Sequence, residues 1–584
     1  MARANDNVVR LLKELATLTE IDEQSRQAFR VRAYENAARA VETLSRDVST
    51  MSAAQLAEVK GIGKSTAAKI RQAVDDGTID KLEQLRAKHP AGKVALLKVP
   101  GLGAKGLALL EQELGIVDVE GLKAALDDGS IAGLPGMGEK TAHNLKEAID
   151  KLGLGSKEQR FPIARAHAAA ERLVEDLRAL DVVDRAEYAG SLRRFRETIG
   201  DVDILAVSKD PDSVMVAFVG FDDVDSVIAK GSSKSSVVTR DGLQVDLRVV
   251  AADEWGCALV YFTGSKAHNI RLRQRALERH LTLNEYELAP TEGSRRSRPI
   301  RCKHEEDVYK ALDLPWITPE LREDTGEIEA AEASRLPDLI TVEDLRGDLH
   351  DHSDWSGDGT QPMTAMIEGA IERGLDYFAF TDHAEDLSIN GVSRTGMKKQ
   401  RTELRRLQEV YPQLRLLHGV ELNIDADGSV DYDPAFVGTF DWCVASVHSH
   451  FRRSVAEQTK RVVAAIRNPA VNVIGHLTGR RIGQRPGIDL DVEVVLDAAV
   501  ETGTAIEINS NLARLDAPIE VIREGMARGV TFVISTDAHA VVELDNRRHG
   551  IRQARRAGLS ADLVANTWDT ERFLAWAADV RSGT

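Results

Sequence analysis

Cysteine is scarce in this chain of 584 residues, and long apolar stretches are absent. The three cysteines, Cys257, Cys302 and Cys443, are widely separated, which excludes both a disulfide framework and a Cys-x-x-Cys metal site. No run of about 18 apolar residues occurs, as a membrane-spanning helix would need. The first residues, MARANDNVVRLLKEL, lack the apolar segment of a signal peptide. We therefore expect a protein of the reducing cytoplasm without a membrane partner.

Size and composition indicate a folded protein of several domains. A chain of this length exceeds what one hydrophobic core organises, which favours three or four domains. Hydrophobic residues make up 43% and charged residues 29% of the chain, and both values are ordinary for a globular protein. A mainly disordered or collagen-like chain is therefore excluded.

The net charge of −17 is unevenly distributed. Residues 1–318 hold 47 Lys and Arg against 49 Asp and Glu, whereas residues 319–584 hold 29 against 44. Residues 60–110 are locally basic, with 10 cations against 4 acids. Because local charge decides polyanion binding, the acidic total does not exclude DNA as a partner. An acidic domain can also bind polyanions when cations lie in its pocket.

Three glycine-rich motifs occur in the first 150 residues, which otherwise predict short helices. They are VKGIGKSTAAKI (59–70), VPGLGAKGLALL (99–110) and LPGMGEKTAHNL (134–145). Each places glycines in a tight turn before a helix whose first amides can hold a phosphate oxygen. One motif alone would fit a simple turn between helices equally well. Three copies resemble helix-hairpin-helix DNA-binding elements.

The first two repeats are the predicted contacts to the DNA backbone. The third, which contains Lys140, is interpreted as a packing element because Glu139 lies where a phosphate would approach. The residues expected to contact DNA are Gly61, Gly63, Lys64, Gly101, Gly103 and Lys105.

A candidate carboxylate site follows in a region where β-branched runs predict a sheet. Asp201 and Asp203 lie two apart in GDVDIL, so both carboxylates project from one face of a strand. Asp246, in LQVDLRVV, completes a three-carboxylate site if the two strands are neighbours. Such a site suits two Mg²⁺ ions that assist phosphoryl transfer. For the Asp-x-Asp pair alone, a solvated strand end is the alternative interpretation.

The segments around these aspartates resemble the family X DNA polymerases. A grip on a triphosphate is predicted just before them by Gly190, Ser191, Arg193 and Arg194. YFTGSKAHN (261–269) is similar to the nucleotide-binding segment of the family, and NEYEL (284–288) also matches. The likeness covers nearly all of residues 1–318. It implies an α+β nucleotidyltransferase palm with a small thumb, preceded by α-helical helix-hairpin-helix domains.

The resemblance also implies roles for single residues. Asp201, Asp203 and Asp246 would bind Mg²⁺ or Mn²⁺, and Asp246 would also activate the primer 3′-hydroxyl. Ser191 and Arg194 would contact the β- and γ-phosphates of a dNTP. Tyr261 and Phe262 would contact its sugar, and Asn269 and Arg273 the minor-groove side of the base pair. The full implied nucleotide-binding set is Gly190, Ser191, Arg194, Gly200, Tyr261, Phe262, Gly264, Asn269 and Arg273.

Two positions depart from the pattern of the family. Gln244 stands where some members carry an arginine near the triad, so support for the primer terminus differs. Lys69 aligns with the lysine that some members use for Schiff-base lyase chemistry, but Ser65 replaces a neighbouring family lysine. Lys69 is therefore a lyase candidate, and a solvated or phosphate-contacting lysine is the alternative.

The pattern changes near residue 340. Residues 319–340 are rich in acids and predict an exposed linker. After residue 341, apolar runs alternate with helix-like segments, which favours parallel strands with crossover helices, in a barrel or a doubly wound sheet. Histidines and carboxylates lie at the C-terminal ends of these runs, where a parallel barrel collects its active-site groups. Such a mixture suits Zn²⁺, Mn²⁺ or Fe²⁺ rather than Ca²⁺.

These motifs resemble the polymerase and histidinol phosphatase (PHP) domain. The resemblance implies a distorted (β/α)₇ barrel with a phosphoesterase centre that holds up to three Mn²⁺ or Zn²⁺ ions. The implied metal ligands are His350, His352, Asp358, His383, Glu421, His448, His476, Asp537 and His539.

Four further residues of this region have separate interpretations. His450 lies beside the ligand set and is interpreted as a substrate contact, and Arg480, after HLTG, as a phosphate grip. His418 is predicted to lie in the core, and His549 on the solvated surface.

The predicted domain order follows from these motifs. The domains are an N-terminal helical DNA-binding domain (1–85), a helix-hairpin-helix subdomain (86–152), the palm (153–255), a thumb-like nucleotide-selection subdomain (256–318), the acidic linker (319–340) and the PHP domain (341–584).

Together the resemblances imply a monomeric bacterial repair polymerase of the cytoplasm, associated with the nucleoid. It would fill short gaps in DNA with dNTPs, and its PHP domain would act as a 3′-5′ exonuclease that also cleaves abasic sites. Two alternatives stay open. The PHP half is a small-molecule phosphatase, or the polymerase half is a weakly active scaffold that binds DNA ends.

Overall fold

The computed structural model describes residues 2–23, 29–42, 44, 48–89, 93, 96, 99, 102–151, 160–387 and 390–582. The chain divides into two compact units. Unit 1 consists of residues 1–159 and 483–486, and unit 2 of residues 160–482 and 487–584. Among the described residues, no helix is both long enough and apolar enough to cross a membrane.

Unit 1 is helical, as its sequence predicts. Its helices are α1 (Ala2–Glu23), α2 (Phe29–Glu42), α3 (Ala53–Glu58), α4 (Lys64–Asp75), α5 (Asp80–Lys88), α6 (Ala104–Leu114), α7 (Val119–Asp127) and α8 (Glu139–Lys151). A capping box at Ser52, in which Gln55 bonds back to the Ser52 amide, starts α3, and the Asp118 side chain caps α7. Leu12, Leu56 and Ile70 lie in the shared apolar core.

Unit 2 begins with an α+β region. Its strands are β1 (Phe161–Pro162), β2 (Val183–Tyr188), β3 (Thr198–Ile199), β4 (Val202–Ser208), β5 (Val224–Lys230), β6 (Lys234–Thr239), β7 (Gln244–Val250), β8 (Leu281–Leu283) and β9 (Leu288–Pro290). Its helices are α9 (Ile163–Arg178), α10 (Gly190–Arg193), α11 (Pro211–Phe218), α12 (Trp255–Thr263), α13 (Lys266–Glu278), α14 (Glu305–Ala311) and α15 (Glu327–Glu332). A five-stranded sheet has the order β2-β4-β7-β6-β5, and β4 pairs with β7 in parallel.

Residues 319–340 are only partly the exposed linker that their acidity predicted: residues 324–326 and 332–335 are exposed, but several others are buried. Arg322 is fully buried and its guanidinium lies 2.6 Å from Glu305 Oε1. Glu327 is also buried and its Oε1 lies 2.6 Å from His268 Nδ1. The prediction of exposure is wrong for these two charged groups, because the Glu305 carboxylate pairs with Arg322 and the His268 ring hydrogen-bonds to Glu327, which permits their burial.

The C-terminal half of unit 2 is a seven-stranded parallel barrel. Its strands β10 (Gly347–Asp351), β11 (Tyr377–Phe380), β12 (Arg415–Asn423), β13 (Trp442–Ser446), β14 (Val473–Gly475), β15 (Ala505–Asn509) and β16 (Phe532–Ser535) follow one another in chain order. The crossover and closing helices are α16 (Met363–Glu372), α17 (Arg394–Val410), α18 (Pro434–Val437), α19 (Val455–Ile466), α20 (Val492–Thr502), α21 (Ile519–Arg528), α22 (Arg547–Ala557) and α23 (Thr570–Ser582). A bridge between Asp351 and Ala538 nearly closes the barrel between β10 and β16. The predicted fold class, from helical N-terminal region to barrel, is confirmed.

Apolar packing closes one end of the barrel and leaves the other for polar groups. Phe573 of α23 stacks on Tyr377 with ring centroids 4.5 Å apart and also contacts Trp442. Tyr377 and Trp442 are the first residues of their strands. The N-terminal ends of the strands are therefore sealed, and the C-terminal ends are available for a site.

Helix α22 packs the barrel against the palm sheet region. His549 of α22 lies with its ring 5.2 Å from that of His167 on α9 and 6.2 Å from that of Phe195. Arg552 donates to Tyr188 Oη and lies over the Phe195 ring. His549 is therefore buried, and its predicted place on the solvated surface is wrong. The polar helix sequence RRHGIRQARRA gave no sign that a second domain covers it.

We predict that the two histidines in this interface make unit 2 sensitive to acid. Burial and the nearby arginines lower the pKa of His549 to about 3 and that of His167 to about 4. An unfolded histidine titrates near 6.5, so the unfolded state binds more protons below that pH. The free energy of unfolding therefore keeps its full value well above pH 6.5, as far as these two histidines are concerned. It falls as the pH drops, by roughly 2 kcal/mol per histidine at pH 5.

The measurement is urea unfolding of the full chain at pH 7 and pH 5. Between these pH values, the free energy of unfolding of the H549Q variant should fall by about 2 kcal/mol less than that of the wild type. Substitution of the exposed His450 by Gln controls for loss of an imidazole. Equal pH dependence of wild type and H549Q would show that burial of His549 does not govern acid stability.

Candidate catalytic centres

The three predicted aspartates meet at one edge of the palm sheet. The parallel register of β4 and β7 sets Asp203 directly opposite Asp246, and Asp201 immediately precedes β4. Gly190, at the start of α10, adopts a φ of +65°, and a Cβ there would lie 3.0 Å from Asp203 Oδ2. Glycine thus lets the start of α10 approach the carboxylate closely.

Electrostatics at this edge favour a bound cation. Burial, followed by the charges of Asp201 and Asp246, raises the pKa of Asp203 to about 7. Lys234 Nζ lies 2.9 Å from Asp246 Oδ2, and Gln244 Nε2 donates to Asp246 Oδ1 at 3.1 Å. These bonds outweigh burial and lower the pKa of Asp246. Clustered carboxylates that repel one another fit a divalent metal, which would relieve the repulsion.

The residues after Gly190 differ in whether their side chains are already held by other residues of the protein. Arg193 is mostly buried and its guanidinium bonds to both carboxylate oxygens of Glu305 and to Glu187. The predicted phosphate grip by Arg193 is therefore wrong, because all three of its guanidinium nitrogens are already bonded to Glu187, Thr263 and Glu305. Arg194 bonds through Nε to Glu323 Oε1 at 3.0 Å and also donates to the Thr263 carbonyl. Ser191 lies on α10, half-buried.

The remaining predicted nucleotide contacts lie on α12, α13 and the turns beside the triad. Tyr261 is partly exposed near the end of α12, and Arg248 lies over the Phe262 ring at 4.6 Å. Asn269 Nδ2 donates to the Tyr261 carbonyl at 2.7 Å, and Arg273 Nε donates to the Asn269 carbonyl at 3.4 Å. Gly264 ends α12, and Gly200 lies next to Asp201.

In unit 1, the first hairpin places backbone amides at a helix start. Gly61 has a φ of +98°, and Gly63 is the N-cap of α4, so Lys64 lies in its exposed first turn. Such a helix start attracts phosphate through its amides and dipole. Lys69 Nζ lies 3.1 Å from Ser65 Oγ.

The second hairpin is described in part. Gly103 caps α6 in the same way as Gly63 caps α4, and Lys105 is exposed. Gly101 lies outside the described residues. In the third motif, Glu139 begins α8, followed by the exposed Lys140.

All nine histidine and carboxylate residues expected in the barrel lie together at the C-terminal ends of its strands. Their ligand atoms form four overlapping groups, each within 4.8 Å. The groups are His352, Asp358, His383 and His539; His350, His352 and Asp537; His350, Glu421 and His476; and His383, Glu421 and His448. Four overlapping sets of this kind can accommodate several neighbouring cations.

Glu421 lies at the centre of this cluster. Its carboxylate oxygens lie 2.8 Å from His383 Nδ1, 3.0 Å from His476 Nε2 and 3.2 Å from His448 Nε2. Burial opposes its ionisation, but the surrounding histidines hold its pKa well below the ordinary value. In turn, Glu421 and Asp358 overcome burial and raise the pKa of His383 to about 10.

Several buried nitrogen and oxygen atoms of this cluster lack a hydrogen-bond partner among the described residues, and a bound metal ion would satisfy them. Within the described part of the chain, the buried atoms His350 Nε2, both ring nitrogens of His352 and Asp358 Oδ1 have no hydrogen-bond partner. Buried polar atoms without partners are costly, and a coordinated cation would satisfy them. Their imidazole and carboxylate character suits Mn²⁺ or Zn²⁺.

Three residues of the two centres had no assignment from the sequence. Glu507, in β15, accepts a hydrogen bond from His350 Nδ1 at 2.6 Å, which leaves Nε2 directed at the cluster. A single acid inside the apolar run AIEINS was a usable signal. The sequence held no such signal for Lys234 or for Arg514. The Nε of Arg514 lies 3.5 Å from Asp537 Oδ2.

The other assignments in the barrel divide. His418 is buried and stacks on Phe440, as predicted for a core residue. His450 is exposed and belongs to none of the four ligand groups within the described residues. Arg480 makes a bidentate ion pair with Glu197 of the palm at 2.8 and 3.1 Å. Its prediction as a phosphate grip is wrong, because a carboxylate of another domain occupies its guanidinium.

We predict that loss of one central histidine removes metal from the barrel. H350A should lower the divalent metal bound per chain, measured by elemental analysis after desalting, because His350 belongs to two of the four ligand groups. H450A should retain the wild-type content. Equal metal content in H350A and the wild type would contradict the assignment of this cluster as a metal centre.

Comparison with known proteins follows the same division of the chain. Family profiles match a helix-hairpin-helix domain at residues 3–79, a SAM-like helix-hairpin-helix tandem at 93–151, a DNA polymerase beta thumb at 258–323 and a PHP domain at 348–511. The DNA polymerase/3′-5′ exonuclease PolX of Bacillus subtilis is 36% identical over 97% of this chain and 99% of its own length.

A second group of relatives matches the barrel alone. A probable phosphatase of Vibrio campbellii is 30% identical over 40% of this chain, and one of Thermoanaerobacter sp. is 29% identical over 38%. The match to PolX, in contrast, extends over nearly the full length of both chains, and so includes the palm, the thumb and the barrel. This chain therefore belongs to the family X DNA polymerases that carry a C-terminal PHP domain.

Proposed function

We propose that this protein is a DNA polymerase that fills short gaps during DNA repair and trims DNA 3′ ends at its PHP centre. The observation that supports the first activity is the parallel register that sets Asp203 opposite Asp246. For the second activity it is the convergence of nine ligand residues in the barrel. We place the protein at the bacterial nucleoid as a monomer, with gapped or 3′-ended DNA and dNTPs as partners.

In the palm, Asp201, Asp203 and Asp246 would hold Mg²⁺ or Mn²⁺, which supplies charge neutralisation for phosphoryl transfer. Asp246 accepts the proton of the primer 3′-hydroxyl, and Gln244 and Lys234 orient its carboxylate. The 3′-oxygen attacks the α-phosphorus of the dNTP, the bond to the β-phosphate breaks, and pyrophosphate leaves.

The incoming nucleotide is bound by residues beside the triad. Ser191 and Arg194 bind the β- and γ-phosphates, and Arg194 exchanges Glu323 for the triphosphate. Tyr261 and Phe262 contact the sugar. Asn269 and Arg273, joined to each other by a hydrogen bond, face the minor groove of the new base pair.

In the barrel, the nine ligand residues would hold up to three Mn²⁺ or Zn²⁺ ions, which supply Lewis-acid catalysis of hydrolysis. Glu507 holds the His350 ring so that Nε2 faces the site. We propose that the same centre cleaves DNA at abasic sites. A small-molecule phosphatase is disfavoured, because the phosphatase relatives match the barrel without the palm and thumb.

Lys69 supports a further proposed activity, a lyase in unit 1. Its amine lies in a groove lined by Arg30, Arg32, Lys64 and Tyr34, where cations would bind the phosphate next to an abasic sugar. Attack of the Lys69 amine on the sugar aldehyde forms a Schiff base with loss of water. Borohydride should trap a covalent adduct with wild type, and K69Q should form none. Equal trapping in both would assign the amine elsewhere.

We predict that the two centres lose activity separately. D203N should lower primer extension on gapped DNA by at least about 100-fold, because it removes a charge where metal and phosphate meet. D223N, in a palm ion pair with Arg172, is the control. H350A should abolish degradation of single-stranded DNA from its 3′ end and leave extension intact. Extension that survives in D203N would overturn the polymerase proposal, and degradation that survives in H350A the nuclease proposal.

A further inference from the structure

The loop after β15 connects the barrel to the palm. Leu515 is fully buried in the hydrophobic cluster of the palm, and Leu512 packs against the same cluster. The neighbouring Asp516 is fully buried and accepts hydrogen bonds from the amide and hydroxyl of Thr478. The loop from Asn511 to Asp516 is therefore held by both domains rather than by the barrel alone.

A single guanidinium group joins this loop to the palm. Arg480 Nε donates to the Arg514 carbonyl at 2.9 Å, and its terminal nitrogens bond to the Leu515 carbonyl and to both carboxylate oxygens of Glu197. Bidentate pairs of this kind fix orientation as well as charge. Because Arg480 is only 14% exposed, the pair is shielded from solvent screening.

Arg514, at the centre of the same loop, directs its side chain to the metal cluster. Its Nε lies 3.5 Å from Asp537 Oδ2. The side chain is 13% exposed, so part of it is accessible from solvent. The cluster itself supplies carboxylates and imidazoles for cations, whereas a phosphodiester also needs donors for its non-bridging oxygens. A guanidinium beside a metal ligand supplies such donors in a planar fork.

We propose that Arg514 contacts the scissile phosphate of the DNA bound at the PHP centre, and that Glu197 of the palm positions Arg514 through Arg480. Arg514 is then a catalytic residue of the nuclease, and Glu197 and Arg480 are positioning residues. The inference rests on the proposed nuclease function. It adds that the polymerase half sets the geometry of the nuclease half.

The test uses the full chain and measures kcat and KM for 3′-end degradation of single-stranded DNA, with bound metal and melting temperature as parallel readouts. R514A should lower kcat/KM by about 100-fold with wild-type metal content, and R514K should recover part of the loss. E197Q should lower kcat by about fivefold. E501Q, in the exposed pair with Arg467, is the matched control and should act as the wild type.

The double variant decides whether Glu197 acts through Arg514. In R514A, the further change E197Q should have no additional effect on degradation, because the group that Glu197 positions is gone. Additive losses would overturn the positioning role. Wild-type degradation by R514A, or a loss that matches a loss of metal, would overturn the phosphate contact.

A second substrate separates this inference from the proposed nuclease function. If the wild type fails to degrade DNA but hydrolyses bis(p-nitrophenyl) phosphate, the nuclease proposal fails. The same variants then test the phosphate contact on that diester: a loss in R514A with full metal content supports it, and wild-type hydrolysis by R514A overturns it.

Discussion

Parallel strand pairing is the constraint on which both centres depend. In parallel pairs, residues at equivalent depth lie side by side, so acids from distant segments are brought within a few ångströms of one another. The β4–β7 register does this for Asp203 and Asp246, and the seven strands of the barrel do it for imidazoles and carboxylates. The backbone hydrogen bonds between neighbouring strands therefore oppose the repulsion that would otherwise separate these charges. The raised pKa of Asp203 reflects first its burial and then the repulsion from Asp201 and Asp246 that remains.

The same constraint explains how much of the sites the sequence could predict. A residue at the end of an apolar run, such as His476 after VNVIG, is placed by the strand alone, so its position follows from the local pattern. Asp358 lies on a loop after β10, and its likeness to the family motif was needed to include it. It proves to contact His383 and Asn390 through Oδ2. Glu507 illustrates the reverse case, since its strand was recognised and its role was not.

The incorrect predictions share one physical cause. Each concerns a polar residue that the sequence pattern predicts at the surface or at a ligand. In the structure, each of them is instead buried or bonded to a residue elsewhere in the chain. These residues are Arg193, Arg480, Glu327 and His549. The single carboxylate of Glu305, for example, pairs with both Arg193 and Arg322. No local pattern reports such pairs, because the partner is defined by tertiary contact. Helix periodicity and strand alternation predict which face is apolar, but not which charged residue meets its counterion inside the fold.

A second group of paired charges, which includes Arg480, lies between the palm and the barrel. Arg552 bonds to Glu320 and Tyr188, Arg480 to Glu197, and Arg556 to the Phe195 carbonyl. Separation of the two domains would expose Leu515 and leave these cations without partners, so the interface resembles a core more than a flexible junction. Glu197 and Arg480 each lie four residues from a proposed metal ligand, Asp201 and His476 respectively. The Glu197–Arg480 ion pair therefore joins two segments that each carry a proposed metal ligand, a connection that independent domains on a linker would not have.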